Sequence, residues 1–297
     1  MPDTRVLVAG ATGQLGGAIA RKLIAAGVPI RALARSADKL APLKDAGAEV
    51  VAANLLDLPK VTDACRGVTQ IVSTVNNNMG QGATSPMKVD VSAHQNLCAA
   101  ARNTGVKRIM YVSFRGVTSG ETVDIFRVKW YIEDLIRRSG LPHVMLRPSA
   151  FMDVWIDMII APDIRKKGRA TVFGDGTRVM NYVAVDDVAE YAVKIVQRDD
   201  VKNENVDVGG PSDKSLNDVV SLVERRLGGG GKRRHVPVAL MSLLPPIVRP
   251  FNEVAARMIS LGHYAATHQS AFPGWKTNAD RFGVRPITVE DYVAKMK

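Results

Sequence analysis

The amino-acid sequence predicts an α/β protein built on a doubly wound parallel sheet, with a small C-terminal lobe. Three observations predict it. Short apolar, β-branched runs alternate with helix-period segments through the first half of the chain. A glycine-rich turn stands between the first run and the first helix, and after Pro148 the alternation breaks down. The expected division is residues 1–150 for the sheet domain and residues 151–297 mainly for the lobe. Segments around 180–210 are expected to return to the sheet.

Each element has its own signal. Arg5 to Ala9 reads as the first strand, and Leu15 to Ala26 as a helix stopped by Gly27. Pro29 to Ala34 is a second strand, Ala37 to Ala46 a helix ended by Gly47, and Glu49 to Ala53 a third strand. Leu58 to Cys65 is helical, Gln70 to Val75 a fourth strand, and a polar segment from Asn76 to Pro86 precedes a helix from Val89 to Asn103. Arg108 to Ser113, a helix from Asp124 to Ser139, and His143 to Arg147 complete the series. Beyond Pro148, Met152, Trp155, Met158 and Ile159 recur at helical spacing and predict an apolar face. Asp175-Gly176 suggests a hairpin between Thr171 to Phe173 and Val179 to Val185. Asp186 is the expected N-cap of a helix to Val196, and Ser215-x-x-Asp218 opens a helix to Arg226 with a capping box. Gly228 to Gly231 reads as a flexible turn, and Thr288-x-x-Asp291 starts a final helix.

Composition excludes several classes. The 297 residues are 46% hydrophobic, too apolar for a disordered chain. No window supplies the ~20 apolar residues of a membrane span. The best candidate, Val236 to Val248, is broken by Pro245-Pro246. Cys65 and Cys98 lack metal-ligand spacing, and His143, His235, His263 and His268 are scattered, so neither a disulfide scaffold nor a metal site is expected. The start, Met1-Pro2-Asp3-Thr4-Arg5, has no secretory character, and a cytoplasmic protein is the expectation. The formal charge of +11 resides in small scattered clusters such as Arg165-Lys166-Lys167 and Lys232-Arg233-Arg234. Aromatic residues do not interleave with them, so they read as solvated surface and nucleic acid is not expected.

The chemistry concentrates in Gly10-Ala11-Thr12-Gly13-Gln14-Leu15-Gly16, directly after a strand and directly before a helix. Glycines there let the backbone turn tightly and approach a pyrophosphate, which then sits on the positive helix N-terminus. A tight turn without a ligand is the plainer alternative. At the end of the second strand, where an acid would bind the ribose 2′-hydroxyl of NAD, the chain has Arg35, then Ser36 and, a turn later, Lys39. A guanidinium fork suits a 2′-phosphate, so NADP(H) is preferred over NAD(H).

With these residues in view, the sequence resembles the NmrA-like branch of the atypical short-chain dehydrogenase/reductases, which have a Rossmann fold. The resemblance rests on Val6 to Gly16, Arg31-Ala32-Leu33-Ala34-Arg35, Gly105-Val106-Lys107-Arg108, Lys129-Trp130-Tyr131-Ile132-Glu133, Leu146 to Met152, and Val185-Asp186-Asp187-Val188-Ala189. It implies that Asn54-Leu55 lies beside the adenine, with Asn54 where the family usually has Asp. It implies that Thr74-Val75-Asn76 passes the nicotinamide-side ribose and phosphate, and that Phe151 lies near the nicotinamide. Ser113 matches the family's serine after the fifth strand.

Lys129 is the candidate for chemistry. Short-chain dehydrogenases pair it with a tyrosine four residues earlier, and here that position is Ile125. Tyr131, two residues on, faces about the opposite side of the helix, and Tyr111 falls within a strand. NmrA-like reductases also lack the tyrosine and commonly keep the lysine, which assists proton transfer. Two roles for Lys129 stay open: proton transfer, or holding the cofactor ribose. The expected activity is NADPH-dependent reduction of a small apolar, aromatic or quinone-like substrate by a monomer or homodimer. The Phe151 to Ile160 and Met241 to Ile259 stretches are candidate hydrophobic walls. The rival is a non-catalytic NADP(H)-sensing regulator or assembly factor with a protein partner.

Overall fold

A computed structural model describes residues 4–228 and 231–296. The chain divides into two compact units. The first comprises Met1–Thr122, Phe126–Arg147 and Val188–Val206; the second comprises Val123–Ile125, Pro148–Asp187 and Asp207–Lys297.

The first unit alternates strand and helix: β1 (Val6–Ala9), α1 (Gln14–Ala25), β2 (Ile30–Ala34), α2 (Ala41–Asp45), β3 (Glu49–Ala52), α3 (Leu58–Cys65) and β4 (Gln70–Ser73). It continues through α4 (Pro86–Thr104), β5 (Arg108–Val112), α5 (Asp124–Arg138) and β6 (His143–Pro148). The seven-stranded parallel sheet has the order β10-β6-β5-β4-β1-β2-β3, where β10 is Glu204–Val208. Chain direction across the sheet reverses between β1 and β4, the switch point at which doubly wound sheets bind ligands. Every residue of β1, β2, β4 and β5 is buried, as expected of a parallel sheet covered on both faces. One face packs Leu7, Leu33, Ile71, Ile109 and Met145 against Leu97 and Ala101 of α4 and Ile132 and Ile136 of α5.

Helix α7 (Val185–Val196) ends at the sheet for an electrostatic reason. The buried Arg108 guanidinium donates to the carbonyls of Ile195, Arg198 and Val201 and to Gln70 Oε1. It thereby satisfies carbonyls at the helix C-terminus that have no intrahelical partner. Two buried thiols, Cys65 and Cys98, are free, and burial pushes both up to about 11.

The second unit corrects several expectations. After β7 (Ala150–Phe151) the chain winds into a π-helix, Asp153–Ile160, rather than an α-helix, and then into α6 (Ala161–Lys167). The wider turn breaks the expected apolar stripe: Met152, Trp155, Ile156 and Ile160 are buried, whereas Met158 is exposed. The predicted hairpin is absent. β8 (Arg169–Phe173) pairs in parallel with β12 (Lys232–Val236), while β9 (Val179–Val183) lies between β7 and β11 (Ser212–Ser215). The turn itself forms, with Asp175 accepting from the Thr177 amide, but its strands part to different partners. Helix α7 begins at Val185, so Asp186 lies inside its first turn, and the Val185 amide donates to the Asp153 carboxylate instead.

Ser215 and Asp218 do form the reciprocal cap of α8 (Leu216–Leu227), and Thr288 caps α12 (Val289–Ala294). Helices α9 (Val238–Val248), α10 (Glu253–Thr267) and α11 (Trp275–Phe282) complete the unit. The expected turn from Gly228 to Gly231 includes residues 229–230, which lie outside the described residues. Among the described residues, no helix is long and apolar enough to cross a membrane, and no group of three His, Cys, Asp or Glu side chains could hold a metal.

Candidate functional site at the carboxyl edge of the sheet

The β1–α1 turn is built from backbone. Gly10 adopts φ +86°, and the Gly13 amide donates to its carbonyl. A Cβ on Gly16 would lie 2.2 Å from Gly10 O and 2.6 Å from Thr74 Oγ1, and one on Gly10 would lie 2.8 Å from that same hydroxyl. These two glycines therefore let the turn close against the residue after β4. Gly13 differs: its added Cβ would meet only Gly10 O, at 3.3 Å. Thr12, Gly13 and Gln14 are exposed, Leu15 is half-buried, and Gly13 as N-cap offers no side chain to the helix. The first turn, Gln14-Leu15-Gly16-Gly17, contains no acidic residue. A helix start of exposed residues without carboxylates is the kind of position that suits an anion.

Sheet register carries the other candidates to the same edge. Ala9 pairs with Leu33 of β2 and Ser73 of β4, Ala34 with Ala52, and Ser73 with Tyr111. The residues just past these pairs are Gly10, Arg35, Ser36, Asn54, Thr74, Val75, Asn76 and Ser113. Arg35 is exposed and Ser36 half-buried. Asn54 is exposed, with Oδ1 accepting from the Leu56 amide at 3.1 Å; Leu55 is buried, and its carbonyl accepts from Asn96. Thr74 donates to Ala9 O at 3.2 Å, Val75 is half-buried, and the exposed Asn76 donates to Thr74 O. Ser113 is buried, and its amide donates to Leu146 O. Phe151 belongs to β7 in the second unit and is half-buried there.

Lys129 is half-buried on α5. Its Nζ donates to Val112 O, the last carbonyl of β5, at 3.1 Å and stands 5.3 Å from the Tyr111 ring centroid. Burial lowers its pKa to about 8, against the opposing pull of Asp90 and Glu133. Ile125 is buried, and Tyr131 is exposed beside Trp130. The tyrosine beneath the ammonium is thus Tyr111, from the strand.

Sequence reasoning passed over one group around this lysine, His94, and gave a second, Glu133, no role beyond its place in the motif. His94, fully buried on α4, packs edge-on to Tyr111 at 4.8 Å between centroids. Its Nδ1 lies 2.7 Å from Asp90 O and its Nε2 2.9 Å from Ser73 Oγ. A carbonyl only accepts, so Nδ1 carries the proton and Nε2 accepts from the Ser73 hydroxyl. Burial lowers this imidazole to about 4, which keeps it neutral. Glu133, also fully buried, receives Arg147 Nε at 2.9 Å and Arg137 Nη2 at 2.6 Å. Burial alone would raise its pKa, but hydrogen bonds from Arg147 and Arg137 hold it below the ordinary value. The available signal was a run of polar residues, Asp90 and His94, along the stripe that continues through Leu97 and Ala101 of α4.

A doubly wound sheet with this turn at its switch point defines a Rossmann-type α/β protein. The family model of the NmrA-like family matches residues 2–293, and the chain belongs to that family. A photosystem II assembly factor, Ycf39, from Synechocystis sp. is 25% identical over 294 residues, covering 97% of this chain and 89% of that protein. The (4-alkanoyl-5-oxo-2,5-dihydrofuran-3-yl)methyl phosphate reductase of Streptomyces griseus is 30% identical over 250 residues, covering 82% and 83%. In fold, the chain resembles the NADPH-dependent quinone oxidoreductase QOR2 of Escherichia coli in its NADPH complex. The TM-score is 0.80 at 20% identity, with 97% of this chain and 98% of that one covered.

Proposed function

We propose that the protein is an NADP(H)-dependent reductase that passes hydride to an apolar, aromatic or quinone-like acceptor. The observation that carries this reading is the convergence on one sheet edge of a helix start suited to an anion, an exposed arginine and a lysine of lowered basicity. The amides around Thr12, Gly13, Gln14 and Leu15 would hold the pyrophosphate, with Gly10 and Gly16 closing the turn behind them. Arg35 and Ser36 would take the 2′-phosphate, and Asn54 and Leu55 the adenine edge. Thr74, Val75, Asn76 and Ser113 would border the nicotinamide side, and the family resemblance adds Phe151. When bound, the reduced cofactor supplies the hydride.

Lys129 does the remaining chemistry in this reading. An amine near pKa 8 exists in both protonation states around neutral pH, so its Nζ can give a proton to the reduced acceptor and regain one from water. With Ile125 where short-chain dehydrogenases have their tyrosine, proton donation is weaker than in an alcohol dehydrogenase. That suits a quinone or activated alkene, whose reduction needs less acid assistance than that of a simple ketone. The names of the Escherichia coli and Streptomyces griseus proteins support this class of acceptor.

A second reading, an NADP(H)-sensing assembly factor without turnover, is favoured by the Ycf39 relationship and by the same Ile125. The test is oxidation of NADPH against a panel of quinones, enones and aldehydes, with Lys129→Ala in parallel. Turnover on quinones or enones, lost in the variant while NADPH still binds, is expected. Tight NADPH binding with no turnover on any acceptor would overturn the reductase reading in favour of the second one.

A further inference from the structure

Helix α9 carries an apolar face that the second unit leaves in solvent. Leu240, Leu243 and Ile247 are 46%, 66% and 63% exposed, and Phe251, just past the helix, is 88% exposed. At ~100° per residue the three helical positions fall within ~60° of one another, so they form one stripe rather than a scatter. The opposite side is anchored: Met241 and Pro245 are buried, and α9 lies along α10. A soluble helix normally turns such a stripe inward, and a contiguous exposed one marks a docking surface.

The charge around the stripe says what would cover it. From Arg225 to Asn252 the chain has six cationic side chains and no carboxylate. Arg233 is paired with Glu224 and Arg249 with Asp124, while Arg225, Lys232 and Arg234 are exposed. Across the β8–β12 pairing, Lys232 stands opposite the exposed Arg169, which shares the field of Asp163 with its salt-bridge partner Lys167. Glu224 and Glu253 bound this stretch, yet within it an aliphatic stripe is flanked in sequence by cations in excess of the acids that pair with them, which is the composition of a helix that lies in a bilayer interface. The eleven residues of α9 are too few to span a bilayer.

We propose that this face docks on an anionic membrane surface. Leu240, Leu243, Ile247 and Phe251 would enter the headgroup–acyl boundary, while Arg225, Lys232 and Arg234 contact lipid phosphates. The proposal stands independently of whether the protein turns over a substrate.

The test is flotation of the full chain with vesicles of phosphatidylcholine containing phosphatidylglycerol, and with vesicles of phosphatidylcholine alone. Binding to the anionic vesicles at low salt is expected, with at least ~tenfold less on the neutral ones and weakening as salt rises. The double variant Leu243→Glu, Ile247→Glu should lose at least ~tenfold of the binding while keeping the wild-type melting curve, because both positions are exposed. The variant Lys232→Glu, Arg234→Glu should lose binding to the anionic vesicles specifically. Absence of flotation at low salt, or unchanged binding by the Leu243–Ile247 variant, would overturn the proposal. So would a wild-type dimer in solution that becomes monomeric in that variant, because the face would then belong to a second copy of the chain.

Discussion

At Lys129 the carbonyl of Val112 and the face of Tyr111 replace water that an ammonium ordinarily keeps, and this exchange has a sign in stability as well as in chemistry. The amine titrates at about 8 in the fold against an ordinary 10.5, so the unfolded chain binds its proton more tightly. Folding is therefore penalised fully below pH ~8, and the penalty fades as pH rises toward the unfolded value. The shift corresponds to at most about 3 kcal/mol. Lys129→Met should accordingly be more stable than wild type at pH 7, by about 1–3 kcal/mol, although it destroys the proposed proton donor. The gain should disappear near pH 10, and urea unfolding at the two pH values measures it. A variant less stable at pH 7 would show that the bond to Val112 outweighs desolvation. Lys129 was legible in the sequence because its neighbours Trp130, Tyr131, Ile132 and Glu133 complete a recognisable motif. His94 was not, because its contacts with Ser73 and Tyr111, on the two strands that flank α4, depend on side-chain packing that helical periodicity does not specify.

Among the elements, the β1–α1 turn separates glycines that the fold needs from one the proposed ligand needs. Gly16→Ala would press a methyl carbon into Gly10 O, a backbone atom that cannot swing away, and should cost roughly 2–4 kcal/mol of stability. Gly13→Ala meets only one contact at 3.3 Å, with an ordinary negative φ of −76°. It should leave the melting temperature almost unchanged yet weaken NADPH binding at least ~tenfold, because its methyl group enters the cradle. Equal loss of stability in the two variants would refute this division, and thermal melts with and without NADPH make the comparison. The strand–helix alternation of the first unit could be read from sequence because each βαβ step is local and the parallel strands are uniformly apolar. The second unit resisted reading for the opposite reason. β8 finds its partner in Lys232–Val236, some sixty residues on, and periodicity within one strand says nothing about that choice. The π-helix similarly depends on remote groups, with Asp153 receiving the Val185 amide and Asp157 the Tyr292 hydroxyl.

For the whole molecule, the two-unit division shapes how cofactor binding would appear. All the proposed contacts except Phe151 lie in the first unit, so NADPH should stabilise that unit's unfolding transition. A ligand at ~100 times its Kd adds about 2.7 kcal/mol, which should raise a transition of this size by about 5–10 °C. NADH at the same concentration should shift it less, because only the 2′-phosphate gives the exposed Arg35 fork an anion to bind. Arg35→Ala should bring the NADPH shift down to the NADH value without altering the melt of the free protein, since an exposed side chain at a strand end carries little of the fold. The net charge of +11 adds a background attraction for any phosphate. Raising the salt concentration separates the two contributions: diffuse attraction is screened for both cofactors, whereas a paired guanidinium retains part of the NADPH advantage. Equal shifts for NADPH and NADH in the wild-type protein would remove the 2′-phosphate assignment from Arg35, while leaving the glycine cradle to be judged by Gly13→Ala.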